Sequence, residues 1–165
     1  MSKEHPLGRL GAKEGDHPDV IALPPLIFLL FFAAGIGSHL AWPIRVGPAG
    51  ATHAAGAVLS LVSAALALWA RQAMKAGGTY VRPDRPTLAI VTGGPFRYTR
   101  NPLYLSLCLL QAATGLLADD WIPLLLAAPL ALALHFGAVL REEAYLERKF
   151  GVTYLDFKRR VRRWV

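Results

Sequence analysis

Two polar blocks stand far apart in this chain, and each adjoins a long apolar stretch. The first block surrounds Asn101-Pro102 and contains Arg97, Arg100 and Tyr104. Asn followed by Pro is typical of a helix start, with Asn as the N-cap and Pro in the first turn. The backbone N–H groups of such a start can hold a carboxylate or phosphate, and the arginines add positive charge. The block therefore predicts either an anion-binding site or an ordinary interfacial anchor of the helix.

The second block, Arg141-Glu142-Glu143, follows an apolar stretch that contains His135. Seven residues are close to two α-helical turns, so His135 and Glu142 should project from one helix face, about 10 Å apart. An imidazole within a membrane span and a carboxylate at its mouth could line one polar groove, and intramembrane ionisable groups are functional candidates. Two plainer interpretations stay open: carboxylates that pair with Arg141 or Arg148 in solvent, and a histidine that only packs between helices.

Apolar segments must position these blocks. Hydrophobic residues make up 54% of the 165 residues and charged residues only 18%, so charges and apolar runs must be segregated. Four stretches carry no charged residue: 21–40, 49–70, Pro102–Leu117 and 121–140. About twenty apolar residues cross a hydrocarbon core, and Pro102–Leu117 falls short of that length. The predicted fold class is an all-α integral membrane protein with about four transmembrane helices.

The net charge of +7 is distributed unevenly. All but one of the 18 Lys and Arg residues lie in the N-terminal segment, in the connection 71–100 or after residue 140, and the exception is Arg45. Such an excess marks cytoplasmic loops, so we predict that both termini are cytoplasmic. The basic tail is expected to bind anionic lipid headgroups, and the placement of charge argues against a nucleic-acid partner.

The chain divides into a polar segment, 1–20, and one membrane domain, 21–165. The connection 71–100 is too rich in Pro and Gly for a long helix, yet residues 88–91 are apolar. We expect an ordered cytoplasmic loop there, and a short amphipathic helix near 153–163. Small residues in the second span, such as Gly56, predict close helix packing. No cluster has metal-ligand spacing, so no metal site is predicted.

The two blocks together resemble a known family. The first motif reads Gly94-Pro95-Phe96-Arg97-Tyr98-x-Arg100-Asn101-Pro102-x-Tyr104. The second motif begins with Glu142-Glu143 and continues with Leu146, Phe150-Gly151, Tyr154, Phe157, Val161 and Arg163-Trp164. In this order, with two spans between them, the motifs resemble the isoprenylcysteine carboxyl methyltransferase family, which is itself similar to the phospholipid methyltransferases. The resemblance covers about residues 77–164.

The resemblance implies an integral membrane enzyme, of a bacterial type, that uses S-adenosylmethionine. It places the cofactor between the last two membrane helices, the loop before them and the C-terminal segment. The cofactor contacts it implies are Leu88, Ala89, Ile90, Val91, Phe96, Asn101, Pro102, Leu103, Tyr104 and Glu142. It further implies a bacterial inner-membrane location and a membrane-partitioning acceptor: an isoprenylcysteine-like carboxylate, a lipid or a small lipophilic molecule.

The acceptor and its chemistry stay open at this point. Eukaryotic members of the family carry a histidine where Asn101 stands and a substrate-contacting arginine where Ala138 stands. A carboxylate or thiolate acceptor needs no general base, whereas a protonated amine does. The candidate catalytic residues are His135, Arg141 and Glu143. Alternative functions are an NADPH-dependent enzyme similar to the sterol reductases and a non-catalytic membrane scaffold.

Overall fold

Helices form every regular element in the part of the chain that the structure describes. The computed structural model describes residue 18, residues 20–81 and residues 86–165. Its helices are α1 (Pro24–Ala41), α2 (Ala49–Ala76), α3 (Pro102–Leu117), α4 (Trp121–Phe150) and α5 (Val152–Arg160). A 3-10 turn, Gly94–Arg97, precedes α3. Most of the predicted polar segment 1–20 lies outside the described residues, as do Arg82 and Arg85.

The predicted all-α membrane fold is confirmed. Helices α1, α2 and α4 are long and apolar enough to span a membrane, and α3 is a shorter apolar helix. With 16 residues, α3 is about 24 Å long, somewhat less than a hydrocarbon core of about 30 Å. Large apolar side chains are exposed along the long helices, as in Leu30, Leu61 and Leu132. These surfaces would be unfavourable in water and fit a lipid environment.

Two glycines allow α2, α3 and α4 to approach one another closely. A Cβ atom on Gly56 of α2 would lie 2.8 Å from the backbone nitrogen of Leu117. A Cβ atom on Gly115 of α3 would lie 2.2 Å from the backbone nitrogen of Leu124 in α4. Small residues bring helix backbones together in lipid, where packing replaces the hydrophobic effect as the driving force. The predicted packing role of Gly56 is confirmed.

Helix α4 is not a regular α-helix. Residues His135–Val139 form a π-helical turn between two α-helical stretches. A π turn adds one residue and rotates everything after it relative to everything before it. The backbone N–H of Ile21 donates to the carbonyl oxygen of Gly137 at 3.1 Å, so the chain just before α1 contacts this turn. The assumption of regular helix between His135 and Glu142 is therefore wrong.

Aspartates tie the α1–α2 connection to the α3–α4 turn. The Asp120 carboxylate is fully buried. It accepts a hydrogen bond from the Ile44 backbone N–H at 3.3 Å and lies 2.9 Å from His39 Nδ1. The neighbouring Asp119 accepts from the Gly47 backbone N–H at 3.1 Å. Both connections therefore lie at one end of the helix bundle, and the start of α3 lies at the other.

Candidate functional site

A cavity of about 620 Å³ lies where α3 begins. The start of α1 contributes Leu23 and Pro24 to its wall, and the end of α2 contributes Met74. The connection before α3, the start of α3 itself, α4 and α5 supply the remaining wall. The cavity is therefore built by elements from nearly the whole described chain, and the first two helices take part in it.

Nine of the ten predicted cofactor contacts line this cavity. They are Ala89, Ile90, Val91, Phe96, Asn101, Pro102, Leu103, Tyr104 and Glu142. The tenth, Leu88, lies outside the lining and its side chain is 56% exposed. Among the three candidate catalytic residues, Glu143 lines the cavity, whereas His135 and Arg141 lie outside the lining.

The apolar residues 88–91 are held against the ends of α2 and α4. The Leu88 backbone N–H donates to Thr79 Oγ1 at 3.0 Å, and the Thr87 N–H donates to the Tyr145 hydroxyl at 3.3 Å. Val91 packs on Gly77, where an added Cβ would lie 2.8 Å from Val91 Cγ2. These contacts hold the described part of the connection in place and put Ala89, Ile90 and Val91 in the cavity wall.

Tyr104 and Glu142 join α3 to α4 across the cavity. The Tyr104 hydroxyl donates to Glu142 Oε2 at 2.8 Å, and the two residues are 38 positions apart. Tyr104 is buried, with 8% of its surface exposed. A hydrogen bond to a carboxylate is stronger than one between neutral groups, so it fixes the direction of the Glu142 side chain.

Glu143 is surrounded by three cations. Arg163 donates to both of its oxygens, from Nε at 2.8 Å and from Nη2 at 3.0 Å. Arg100 Nη2 lies 3.3 Å from Oε1, and Lys158 Nζ lies 3.8 Å from Oε2. The hydrogen bond to Glu143 raises the pKa of the Arg163 guanidinium. Glu143 therefore anchors the segment after α5 to α4.

The segment after α5 also closes over the start of α3. The Arg100 backbone N–H donates to the Arg162 carbonyl oxygen at 3.0 Å. Thr99 Oγ1 and Asn101 Nδ2 both donate to the Arg163 carbonyl oxygen, at 3.2 and 2.9 Å. Asn101 stands at the N-cap position, but its side chain makes no capping hydrogen bond. The predicted capping role of Asn101 is wrong, because its amide holds the tail instead.

His135 faces the tail. Its Nδ1 lies 3.4 Å from Trp164 Nε1, with the ring centroids 6.3 Å apart. The π-helical turn between His135 and Glu142 rotates one residue relative to the other around the helix axis. The two side chains therefore do not line the common groove that was predicted. In the described structure His135 contacts a tail residue, while Glu142 lines the cavity.

The cavity wall is chemically divided. One part carries the charged groups of Arg100, Glu142 and Glu143, and another is apolar, with Leu23 and Val91 among its residues. Tyr154 stands beside the charged part, and burial, with the charge of Glu143 adding to it, raises the pKa of its hydroxyl. Such a wall suits a ligand with a charged part and an apolar or aromatic part.

A comparison with known protein families identifies the family of this chain. The phospholipid methyltransferase family matches residues 51–153, which is more than half of the chain. The chain belongs to the phospholipid methyltransferase family. The predicted resemblance is thus confirmed. A Haemophilus influenzae protein, described as uncharacterized, is 38% identical over 63 residues, which are 38% of this chain and all of that protein.

For this member of the phospholipid methyltransferase family, sequence reasoning overlooked several cavity residues. Arg100 lines the cavity and was predicted only as positive charge at the start of α3. Arg163, which binds Glu143 from outside the lining, was not predicted as a site residue, although it stands inside the second motif. The contribution of Leu23 and its neighbours in α1 had no comparable signal, because they read as ordinary apolar residues. Their place in the wall depends on how α1 packs against α4.

Proposed function

We propose that this membrane protein is an S-adenosylmethionine-dependent methyltransferase that acts on a lipophilic acceptor. The observation that carries the proposal is the single cavity lined by nine of the ten residues that the resemblance assigns to the cofactor. Its volume of about 620 Å³ is within the range of about 300–1,000 Å³ that is usual for cofactor pockets. Its divided wall suits a cofactor that joins a charged amino-acid part to an adenine base.

The residues of the chain would bind the two parts of the cofactor separately. Ala89, Ile90 and Val91 would pack on the adenine, and Glu142, oriented by Tyr104, would accept hydrogen bonds from the polar part. When bound, S-adenosylmethionine supplies an electrophilic methyl group. Displacement at such a carbon needs alignment and exclusion of water, and the tail that covers the start of α3 would serve both.

The acceptor would reach the cavity sideways from the membrane. This route is supported by Leu23 and Pro24, which line the cavity at the start of an apolar helix. A carboxylate or thiolate acceptor would need no base. For an amine acceptor, Glu143 is the candidate that lines the cavity, while catalytic roles for His135 and Arg141 stay predictions.

We also propose that the cavity opens on the cytoplasmic side of a bacterial inner membrane, with both termini on that side. The basic residues support this orientation, because Arg45 stands at the opposite end of the bundle from the Arg-rich segments. An excess of Lys and Arg is typical of cytoplasmic loops.

Calorimetry on the purified protein in detergent tests the cofactor. We expect saturable binding of S-adenosylmethionine and S-adenosylhomocysteine, and no binding of NADPH under the same conditions. Binding of NADPH in place of both would contradict the proposal and favour a reductase. Mass spectrometry of membrane extracts after incubation with methyl-labelled S-adenosylmethionine would then identify the acceptor by the label it carries.

A further inference from the structure

Arg100 is a buried cation in the cavity wall. Its side chain is 7% exposed, and the residue lies immediately before the start of α3. Its backbone N–H donates to the Arg162 carbonyl oxygen, which fixes the main chain at this position beneath the tail. A buried guanidinium stays charged, and it requires both hydrogen-bond acceptors and negative charge nearby.

The protein supplies Arg100 with only part of what it requires. Its Nη2 lies 3.3 Å from Glu143 Oε1, but Arg163 holds both oxygens of that carboxylate more closely and Lys158 also lies near it. Arg100 Nε and Nη1 are buried and have no hydrogen-bond acceptor among the described residues. The Tyr154 hydroxyl also interacts with Arg100, but it is a neutral group. One carboxylate therefore serves three cations, and Nε and Nη1 of Arg100 remain without an acceptor beside the cavity.

The start of α3 adds further positive potential at the same place. Arg100 adjoins this start, and Leu103 and Tyr104 in its first turn line the cavity with it. The side chain of Asn101, at the N-cap position, makes no capping hydrogen bond, and its amide donates to the tail. Uncapped N–H groups at the beginning of a helix favour an anion.

We propose that Arg100 and the start of α3 form an anion subsite within the cavity, for the oxygen atoms of a carboxylate or a phosphate. The inference rests on the proposed function, which offers two sources of such a group. One is the α-carboxylate of S-adenosylmethionine, and the other is the phosphodiester of a phospholipid acceptor. Glu142, which also lines the cavity, is the complementary group for a ligand's positive charge.

Calorimetry with three probes distinguishes the two sources. The probes are S-adenosylmethionine, its decarboxylated form, and a short-chain phosphatidylethanolamine. If the subsite holds the cofactor, Arg100→Gln weakens S-adenosylmethionine by about 10- to 100-fold, the range of a lost charged hydrogen bond, and leaves the decarboxylated form unchanged. If the subsite holds the lipid, the same variant weakens the phospholipid by a similar factor and leaves both cofactor forms unchanged.

Arg163→Gln is the matched control. It removes the closest partner of Glu143 but leaves Nε and Nη1 of Arg100 in place. The subsite is overturned if Arg163→Gln weakens the same probe as strongly as Arg100→Gln, because the effect would then act through Glu143. It is also overturned if Arg100→Gln binds all three probes like the wild type.

A second variant covers the case in which Arg100→Gln does not fold. Arg100→Lys keeps the charge beside Glu143 but loses the directed donors, so it should weaken the same probe by a smaller factor. Unchanged binding of every probe by Arg100→Lys would then overturn the subsite. Failure of the proposed function gives a different result, because the wild type would then bind neither cofactor form. The subsite would in that case be tested with the phospholipid alone. If the wild type does not bind the phospholipid either, the subsite is overturned as well.

Discussion

One hydrogen bond, from Tyr104 to Glu142, joins the two polar blocks that the sequence separates by a complete helical hairpin. We predict that Glu142→Gln weakens S-adenosylhomocysteine binding by about tenfold or more, because the carboxylate would accept from the cofactor and its charge is removed. Calorimetry measures this directly. Glu147→Gln is the control on the same helix, since Glu147 pairs with Lys158 outside the cavity lining and should bind like the wild type.

Equal weakening by both substitutions would indicate a general effect of charge on α4 and would contradict a direct contact from Glu142. Gln keeps the size of the side chain and can still accept from Tyr104, so the fold should be retained. The comparison therefore isolates the negative charge.

Tyr104→Phe tests the other half of the pair. It removes the donor to Glu142 Oε2, and an acceptor left without its partner in a buried place costs about 1–3 kcal/mol. We expect a lower midpoint of thermal unfolding in detergent and weaker cofactor binding. In Tyr104→Phe/Glu142→Gln the two effects on cofactor binding should be less than additive, because Tyr104 acts by orienting the Glu142 carboxylate, whose charge Glu142→Gln already removes. Full additivity would show that the residues act independently.

Whether the place of a residue in the site could be predicted from the sequence depended on its type of side chain. Residues 88–91 and Tyr104 stood out as apolar or aromatic groups in unusual surroundings, and the motif order linked them to Glu142. The burial of Arg100 was not predictable, since an arginine next to a membrane helix ordinarily extends to the headgroups. Its place in the wall depends on Glu143 and on the tail, which are more than 40 positions away.

Among the elements, the tail after α5 closes the site. Residues 161–165 supply the carbonyl oxygens that hold Thr99, Arg100 and Asn101 and the guanidinium that holds Glu143. We predict that truncation after Arg160 lowers the midpoint of thermal unfolding and weakens S-adenosylhomocysteine binding, because the start of α3 loses these partners.

The control for truncation is Arg159→Gln in the full chain. Arg159 is 75% exposed and its ion pair with Asp156 lies on the surface, where such pairs contribute little. Thermal unfolding and binding should both match the wild type. A truncated protein that melts and binds like the wild type would show that the tail is dispensable.

The α3–α4 hairpin depends on Gly115. Its added Cβ would lie 2.2 Å from Leu124 N and 2.4 Å from Leu124 Cα, and backbone atoms cannot rotate away. Gly115→Ala should therefore destabilise the protein by about 1–3 kcal/mol, as overpacked sites do. Thermal unfolding in detergent measures the effect. The control Gly37→Ala in α1 has open space around the new methyl group and alanine favours helix, so it should not lower the midpoint of thermal unfolding.

The helices were predictable and the π-helical turn was not. Span positions follow from apolar length, and the start of α3 follows from Asn101-Pro102, since these signals are local. The turn at His135–Val139 carries no local signal in its sequence. It arises where the chain before α1 donates to Gly137 and where Trp164 packs against His135, and both contacts come from distant parts of the chain.

The whole molecule has two different ends. At one end the Asp119-Asp120 turn binds the connection that contains Arg45, and at the other the Arg-rich tail binds the start of α3. This arrangement agrees with the segregation of charge in the sequence, and charge then determines orientation. In the proposed orientation, the end that holds the cavity faces the cytoplasm, and the proposed cofactor reaches the cavity from that side.

Cysteine labelling tests this orientation. In a Cys108→Ala background, Arg45→Cys and Val165→Cys each introduce one thiol at an exposed position, at opposite ends of the bundle. An impermeant maleimide should label Arg45→Cys in intact spheroplasts and Val165→Cys only after lysis, because Lys and Arg are retained on the cytoplasmic side. The reverse pattern would place the cavity outside and would separate it from cytoplasmic cofactor. Labelling of both positions before lysis would contradict the four-crossing arrangement of α1 to α4, because both ends of the bundle would then face the same solution.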